Sequence, residues 1–471
     1  MAFARVRFVG QLGAVALFSA CAAEKEEALP IGVKSAQLIR QISDAKEARR
    51  WQRMQKDGKI PKSGRIEETM ARYDHAWPDE TPPIPEVTEH TIRRFAYGIG
   101  DDNPLWTDKE YAKNTRYGDI IAPPSIVLGC GGMGIVRGQM PPSWRRERAR
   151  PTDVEGGRRE LDQSGMGEDA AGFSGWYSGS QIKWFRAVRP GDHLQNLNYI
   201  FSMERKSSEF GGENTLKLTY GVEFRNPRNE LVCRCHNWDF VALRKEAKEK
   251  GKYMLLELKD HWSDEELRPI WEQYEKEYEL RRNANPRFWE DVEMGEEWKM
   301  AKGPYTASSG IAYTIGAIGE TFIKTDRLAY RTYVRDHPAV GIKNEMNMPD
   351  APVRVHWENE LPKREGIPAA YDFGGQRIAW LAQMVTDWMG DDGFLETLEG
   401  EFIKFNYLGD VQWFTAKIID KFIVTDDHLI RCEISAVNQR NEITTTGAAT
   451  VALPSRGTGR WPLDSRLGSR L

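Results

Sequence analysis

The chain has no excess of positive charge and few cysteines. Its 66 Lys and Arg residues are offset by 70 Asp and Glu residues, which gives a formal net charge of −4 at pH 7. A chain with this balance lacks the basic surface of a nucleic-acid-binding protein, so we expect no nucleic-acid partner. Only five cysteines occur among 471 residues, and none forms a C-x-x-C pair. Cys233 and Cys235 lie two apart in an apolar run, and we expect packing thiols rather than a disulfide or metal site.

The apolar run near the start of the chain is too short to cross a bilayer. Residues 9–23 are interrupted by Gly10, Gln11 and Gly13, and a spanning helix needs about 20 apolar residues. Two arginines precede this run and the first acidic residue is Glu24, a pattern typical of a signal or transit peptide. An over-long or frayed start is the alternative. We therefore predict no membrane-spanning segment here.

A pattern of three short segments occurs twice, in the same order. The two copies are residues 182–184, 191–192 and 226–231, and residues 403–405, 409–410 and 438–443. Gly191 and Asn226 lie 35 residues apart in the first copy, and Gly409 and Asn438 lie 29 apart in the second. This agreement predicts an internal duplication whose period is far longer than that of a solenoid repeat.

Each copy is predicted to carry one central helix followed by antiparallel strands. Alternating apolar residues at 216–224 and 430–436 have the period of half-buried strands. The asparagine segments between the strands predict hairpin turns. Apolar residues at helical spacing predict a helix over residues 375–389, ended by Gly390. The equivalent helix of the first copy, over residues 125–137, is weakened by four glycines.

Two insertions are predicted outside these repeated cores. Residues 138–175 are rich in Arg, Glu, Gly and Pro without periodicity, which predicts a long loop. Residues 243–285 are dense in Lys, Glu and Leu, which predicts a charged helical connector. We therefore divide the chain into a leader and extension (1–65), an N-terminal domain (66–245), a connector (246–285), a C-terminal domain (286–455) and a tail (456–471).

The segment richest in chemical information is residues 100–108, Gly-Asp-Asp-Asn-Pro-Leu-Trp-Thr-Asp, closed by residues 121–124. It resembles the hydration motif G-D-x-N-P-x-H-x-D of the MaoC-like hotdog dehydratases, with Trp106 in the place of the catalytic histidine. The resemblance implies an α+β double hotdog, with two antiparallel sheets that each wrap a central helix. It also implies that the N-terminal domain is degenerate. We expect Asp101 and Asn103 to stabilise their own loop by Asx-type hydrogen bonds.

The second half resembles the working site of the same family. Residues 356–359, His-Trp-Glu-Asn, and 370–377, Ala-Tyr-Asp-Phe-Gly-Gly-Gln-Arg, carry this resemblance. It implies that His356 holds water and moves protons. Tyr371 is expected to line the site. Arg377 is expected either to contact a CoA phosphate or to sit on a solvated helix face.

The spacing within the chain agrees with this assignment. His356 lies 18 residues before Gly374, and Trp106 lies 18 residues before Pro124. The two copies therefore place an imidazole and an indole at equivalent positions. Gly374 and Gly375 allow a thioester to approach their backbone N–H groups, whereas Pro124 has no N–H group. In the family, such N–H groups at a helix start receive the thioester oxygen.

The carboxylate partner of His356 is less well defined. The family places it five residues before the histidine, where this chain has Ala351. Asp350 lies six before, and a one-residue bulge would correct the spacing. Glu358, two residues after the histidine, is an alternative. A distant group, or water alone, is a third possibility.

The resemblance implies a hydro-lyase that interconverts enoyl-CoA and 3-hydroxyacyl-CoA thioesters, an activity of lipid metabolism. It needs no cofactor or metal beyond the CoA of the substrate. Two alternatives remain, a hotdog acyl-CoA thioesterase and a non-catalytic acyl-CoA-binding partner subunit. We expect a homo-oligomer, and a cytoplasmic location because CoA chemistry of this type is intracellular.

Overall fold

The computed structural model describes residues 77–78, 84–131, 173–319, 323–336 and 341–463. All of them lie in one compact unit that spans residues 57–471. The predicted leader, the tail beyond residue 463 and most of the predicted loop at 138–175 fall outside the described residues.

The described residues form twelve strands. They are β1 (Trp77–Pro78), β2 (Phe173–Trp184), β3 (Gln195–Ser208), β4 (Gly212–Arg225), β5 (Leu231–Leu243), β6 (Glu297–Lys302), β7 (Ile342–Lys343), β8 (Pro349–Asp350), β9 (Phe394–Phe402), β10 (Gln412–Val424), β11 (Asp427–Asn438) and β12 (Ile443–Leu453).

The α-helices among the described residues are mostly short. They are α1 (Glu89–Ile99), α2 (Pro104–Thr107), α3 (Lys109–Lys113), α4 (Arg244–Lys250), α5 (Asp264–Leu280), α6 (Ala307–Ile311), α7 (Asp326–Tyr330), α8 (Glu360–Lys363) and α9 (Gly374–Met389). Three 3₁₀ turns (Pro124–Leu128, Trp289–Asp291, Pro352–His356) and two π turns (Ala312–Ala317, Arg331–Asp336) complete the helical set. None of these helices is both long and apolar enough to cross a membrane.

Ten strands form one antiparallel sheet, in the order β1-β3-β4-β5-β2-β9-β12-β11-β10-β6. The predicted sheets of the two halves are therefore joined into one. The joint lies between β2 and β9, which pair from Gly179 and Glu401 to Lys183 and Thr397. This pairing gives partners to backbone groups that would otherwise form an exposed sheet edge in each half.

The strand order confirms the predicted duplication. Outward from the joint, the first half runs β2-β5-β4-β3-β1 and the second half runs β9-β12-β11-β10-β6. In each half the strand at the joint pairs with the last strand of that half, and the outermost strand is the first one. The two halves therefore have the same topology.

The asparagine turns repeat at the level of single hydrogen bonds. The side-chain oxygens of Asn226 and Asn438 each accept from the N–H groups two and four residues further on, at 2.9–3.1 Å. Each side-chain amide donates to the glutamate that ends its turn. Asn229 and Asn441 have φ of 61° and 57°, a left-handed conformation that asparagine tolerates. Both predicted hairpin turns are confirmed.

The second half carries the predicted central helix. Helix α9 begins one residue before the predicted range and ends at Met389, where Gly390 has a φ of 73°. Almost every residue of the helix is buried, including the polar residues Gln376, Arg377 and Gln383. In the first half, the described chain instead forms the short 3₁₀ turn Pro124–Leu128 and a turn that reaches Gly131.

The predicted connector is helical in two places. Helix α4 begins two residues before the connector and α5 lies within it, with irregular chain at residues 251–263 between them. Helix α5 begins with a capping box in which Ser263 and Glu266 exchange side-chain to backbone hydrogen bonds. The predicted loop at 138–175 extends three residues too far, because residues 173–175 belong to β2, which begins at Phe173.

The neighbouring cysteines are packing residues of the sheet. Cys233 and Cys235 are fully buried on β5, as the alternation of strand residues requires, and their sulfur atoms lie 3.7 Å apart without a disulfide bond. Burial raises the pKa of the Cys233 thiol, which keeps it protonated near neutral pH.

Candidate functional site

His356 ends the turn Pro352–His356, and its ring lies beside the start of α9. Its Nδ1 donates a hydrogen bond to the carbonyl oxygen of Tyr371 at 2.9 Å. Because a carbonyl can only accept, the neutral ring carries its proton on Nδ1 and keeps a lone pair on Nε2. Phe373 packs on the ring at a centroid distance of 4.4 Å, and the edge of Tyr371 lies at 5.2 Å.

Burial sets the charge of His356. It lowers the pKa of the imidazole to about 4, against the opposing effect of backbone hydrogen bonds to Tyr371 and Asp372. The ring is therefore neutral near pH 7. A neutral imidazole held in one orientation is suited to accept a proton, as a general base must.

The structure brings neither predicted carboxylate to His356. Asp350 Oδ2 lies 3.4 Å from Arg354 Nε, and Glu358 is paired with Arg354 Nη1. Both carboxylates are therefore engaged with the buried Arg354. Within the described residues, His356 forms no ion pair with a carboxylate. Nor do those residues include a group of His, Cys, Asp or Glu placed to hold a metal ion.

The start of α9 offers two N–H groups without an intrahelical acceptor. Its N-cap residue, Phe373, provides no side-chain hydrogen bond, and the N–H groups of Gln376 and Arg377 are the first to bond back, to the Phe373 carbonyl. The N–H groups of Gly374 and Gly375 come before these and project from the helix end. Together with the positive end of the helix dipole, they can stabilise a developing negative charge.

Arg377 lies in the core, so the predicted position on a solvated helix face is wrong. It is 2% exposed. It pairs with Asp372 through both ends of its guanidinium, at 2.8 Å for Nε, and donates to the Lys404 carbonyl at 2.9 Å. This position follows from the burial of α9 on all sides. The guanidinium is engaged with Asp372 rather than presented to a CoA phosphate.

The first-half motif forms a closed hydrogen-bonded loop. Asp101 Oδ1 accepts from the Asn103 N–H, and Asn103 Oδ1 accepts from the Leu105 N–H, both at 3.0 Å. These are the predicted Asx-type bonds. Trp106 Nε1 donates to Asp101 Oδ2 at 3.0 Å. Because an indole N–H donates and cannot act as a base, this pair cannot replace a carboxylate and a histidine.

A narrow cavity of about 30 Å³ remains beside Trp106. Pro124 and Trp184 of the first half line it, together with Met389 and Phe394 of the second. The Pro124 carbonyl accepts from Trp184 Nε1 at 2.9 Å. A space of this size holds about one or two water molecules, whereas acyl-group pockets are roughly ten times larger.

Comparison with known proteins supports the resemblance. Residues 81–150, which include the motif at 100–108, match a family model described as the FAS1-like dehydratase domain region. A UPF0336 protein of Streptomyces avermitilis is 52% identical over 43 residues, which are 9% of this chain and 29% of that protein. A UPF0336 protein of Thermobifida fusca is 47% identical over 57 residues, 12% of this chain and 38% of that protein. The chain thus matches well under half the length of these curated relatives.

Solved structures resemble the chain over most of its length. One MaoC-like dehydratase is 15% identical, covers 82% of this chain and 99% of its own, and gives a TM-score of 0.52. A MaoC domain protein dehydratase from Chloroflexus aurantiacus is 13% identical, covers 81% and 95%, and gives a TM-score of 0.50. The chain has the double-hotdog fold of the MaoC-like dehydratases. The resemblance and the fold class expected from the sequence are confirmed.

This double hotdog also brings to the site residues that sequence reasoning missed. Tyr177 of β2 lies against the helix start, since a Cβ on Gly374 would lie 2.3 Å from Tyr177 Cδ1. The contact joins the two halves, and no local pattern could reveal it. Arg354 had one signal in the sequence, its spacing of four residues from Asp350 and from Glu358.

Proposed function

We propose that the protein is a hydro-lyase that interconverts enoyl-CoA and 3-hydroxyacyl-CoA thioesters. One observation carries the proposal: a neutral His356, oriented by the Tyr371 carbonyl, lies beside the Gly374 and Gly375 N–H groups, which have no acceptor within α9. The double-hotdog fold and the dehydratase-region match of residues 81–150 support it.

The proposed reaction needs only these groups. His356 Nε2 takes a proton from water, and the water oxygen bonds to C3 of the enoyl group. The electron pair of the C2–C3 double bond moves toward the thioester oxygen, where the N–H groups of Gly374 and Gly375 stabilise the negative charge. The enolate then takes a proton at C2 from the imidazolium. The sum is the addition of one water, and dehydration is the reverse.

In this proposal Asp350 and Glu358 are positioning residues, whereas the sequence predicted one of them as the carboxylate partner of His356. Because both bind Arg354, they position the turn that carries His356 and do not touch the water. His356 therefore acts as base and acid in turn without a carboxylate partner. General acid–base catalysis by one such group contributes on the order of 10²–10⁴ in rate.

The test is hydration of trans-2-enoyl-CoA by the purified full chain, followed by loss of the enoyl thioester absorbance. We expect His356→Gln to lower kcat by about 10²–10⁴, while His193→Gln, an exposed histidine, keeps wild-type activity. Because Nε2 must be unprotonated, kcat/KM should fall only as the pH approaches about 4, not near the pKa of about 6.5 of a free histidine.

Three outcomes would contradict the proposal. Full activity of His356→Gln would remove the histidine from the mechanism. Release of free CoA without a hydrated product would identify a thioesterase. An inert wild-type chain that still binds acyl-CoA would identify a non-catalytic partner subunit. Sedimentation of the same preparation tests the expected homo-oligomer.

A further inference from the structure

The first half covers the start of α9. A Cβ on Gly374 would lie 2.3 Å from Tyr177 Cδ1 and 3.1 Å from Phe402 Cε2. The rings of Tyr177 and Phe402 also face each other, with centroids 5.8 Å apart. A thioester whose oxygen meets the N–H groups of Gly374 and Gly375 therefore has the first-half sheet beside its acyl group.

That part of the sheet is polar. We call it the sheet cluster, and its members are Tyr177, Ser180, Tyr220, Asn237 and Asp239. The Tyr177 and Ser180 hydroxyls are hydrogen-bonded to each other, and Ser180 donates to the Asn237 side-chain oxygen. Because Ser180 gives its proton to Asn237, the Tyr177 hydroxyl donates to Ser180, and it also lies 3.3 Å from the Asn237 side-chain oxygen. Strand register places the members side by side, since Ser180 pairs with Asn237 across β2 and β5.

Asp239 is the acidic residue of the sheet cluster. It lies opposite Tyr177 in the register of β2 and β5, and Tyr220 donates to its Oδ1 at 3.3 Å. Asp239 is 3% exposed, and burial raises its pKa to about 7. Among the described residues, no cation contributes to the pKa of this carboxyl group. Its two oxygens can accept further hydrogen bonds.

Stability does not require such a cluster. Other residues on the same face of these strands are apolar, among them Leu218, Val222 and Val241, all buried. Burying polar side chains costs free energy even when they are paired, and an apolar core at the same place is usually at least as stable. Polar groups that are retained at a cost beside a reaction site usually serve its function.

The buried Asp239 carboxyl group limits which substituents the acyl group can carry beside the sheet cluster. A carboxylate or phosphate on the acyl group would meet Asp239 without a compensating cation, which is unfavourable in a buried site. A plain alkyl chain would cover the Asp239 carboxyl group without offering it a further hydrogen bond, which is also unfavourable. An uncharged hydroxyl or ketone suits both the hydroxyl groups and the carboxyl group.

We infer that the sheet cluster selects acyl thioesters that carry a hydroxyl or ketone group on the acyl chain beyond C3. The inference rests on the proposed function, because it places the acyl group at the start of α9. It gives the first half a role in recognition, although its own motif no longer supports the chemistry.

The test compares two trans-2-enoyl-CoA substrates of equal chain length, one unsubstituted and one with a hydroxyl group in mid-chain. We expect wild-type kcat/KM to be roughly ten-fold or more higher for the hydroxylated substrate, since a site built to bind a hydroxyl discriminates against an analogue that lacks it. The double variant Ser180→Ala/Asn237→Leu should bring the ratio close to one by lowering kcat/KM for the hydroxylated substrate.

Thr215→Val is the matched control. Thr215 lies on the same sheet with its hydroxyl buried and bonded to Ser208, outside the sheet cluster, so its ratio should stay at the wild-type value. If the double variant does not fold, the milder Asp239→Asn should still lower the ratio. Chemical unfolding of each variant separates a loss of selectivity from a loss of folded protein.

The outcomes separate the inference from the proposed function. Equal wild-type kcat/KM for both substrates would overturn the inference and leave the hydratase activity standing. If neither substrate is hydrated, calorimetric binding of saturated hydroxyacyl-CoA and acyl-CoA decides the inference alone. Tighter binding of the hydroxylated ligand would then support it, and equal binding would refute it.

Discussion

Trp106 and His356 show what one side chain decides. Both stand 18 residues before the start of the segment that follows them, so the two halves differ at this position mainly in side-chain chemistry. The structure shows that the indole of Trp106 has a structural role, because its N–H group donates a hydrogen bond to the buried Asp101. An apparent remnant of catalysis is thus a structural hydrogen bond.

This role of Trp106 predicts the cost of losing its N–H group. Trp106→Phe leaves Asp101 Oδ2 buried without that donor, so we expect the free energy of unfolding to fall by about 1–3 kcal/mol. Trp271→Phe, at a side chain that is 47% exposed, should change it by less than about 0.5 kcal/mol. Urea unfolding of both variants measures the difference, and equal stabilities would show that the indole bond contributes nothing.

Spacing along the chain did not predict the ion-pair partners of the acidic residues near His356. The order of residues along the chain suggested that Asp350 or Glu358 pairs with the histidine, and it treated both as free carboxylates. Arg354 lies between them in the chain and is 4% exposed, so its buried charge needs both acids as partners. Ion pairing with a buried cation, rather than distance along the chain, decided where these carboxylates point.

At the scale of elements, the segments with strong local patterns were predicted well. Helix α9 was found within one residue of its expected start because apolar side chains at helical spacing and a following glycine act locally. The turns at Asn226 and Asn438 follow from side-chain bonds within five residues. In the corresponding segment of the first half, residues 124–131 form a 3₁₀ turn and a following turn, and residues 132–137 of the predicted helix lie outside the described residues.

Gly374, the first residue of α9, contacts Tyr177 of the first half. Gly374→Ala would place a methyl group 2.3 Å from a Tyr177 ring atom, so we expect a loss of about 1–3 kcal/mol in the free energy of unfolding and a lower kcat. Gly316→Ala, at a position with nothing within 4 Å, is the matched control. Chemical unfolding and the hydration assay measure the two effects.

A second variant tests the cause of that loss. If crowding by the Tyr177 ring is responsible, Tyr177→Ser should recover part of the stability that Gly374→Ala removes, as a coupling energy in a double-mutant cycle. Additive effects of the two substitutions would show that the ring does not restrict this position.

At the scale of the whole molecule, the halves are joined by charges as well as by strands. Arg281, which follows α5, bonds Asp387 on α9 at 2.9 Å and is also paired with Asp102 beside the first-half motif. The Arg281 side chain is 8% exposed. Lys302 donates to the Gly100 carbonyl and to Gln383 of α9, which adds a second link of the same kind.

These contacts predict that Arg281 stabilises the packing of the two halves against each other. Arg281→Gln removes the cation that is hydrogen-bonded to the mostly buried Asp387 and leaves Lys302 as the nearby positive charge, so we expect the free energy of unfolding to fall by about 3 kcal/mol. Arg456→Gln, which breaks the exposed pair with Asp291, should cost less than about 1 kcal/mol. Thermal unfolding of both variants makes the comparison, and an equal loss would place the Arg281 pair among ordinary surface pairs.

The sequence by itself determined the duplication, the alternating strands, helix α9, the asparagine turns and the Asx-type bonds of Asp101 and Asn103. Each of these depends on periodicity or on bonds between residues close along the chain. Only the tertiary structure decided that β2 and β9 join the halves in one sheet, that Arg354 and Asp372 hold the nearby charges, and that Tyr177 covers the start of α9. These contacts join segments distant in the chain or depend on burial, which packing creates and no local pattern encodes.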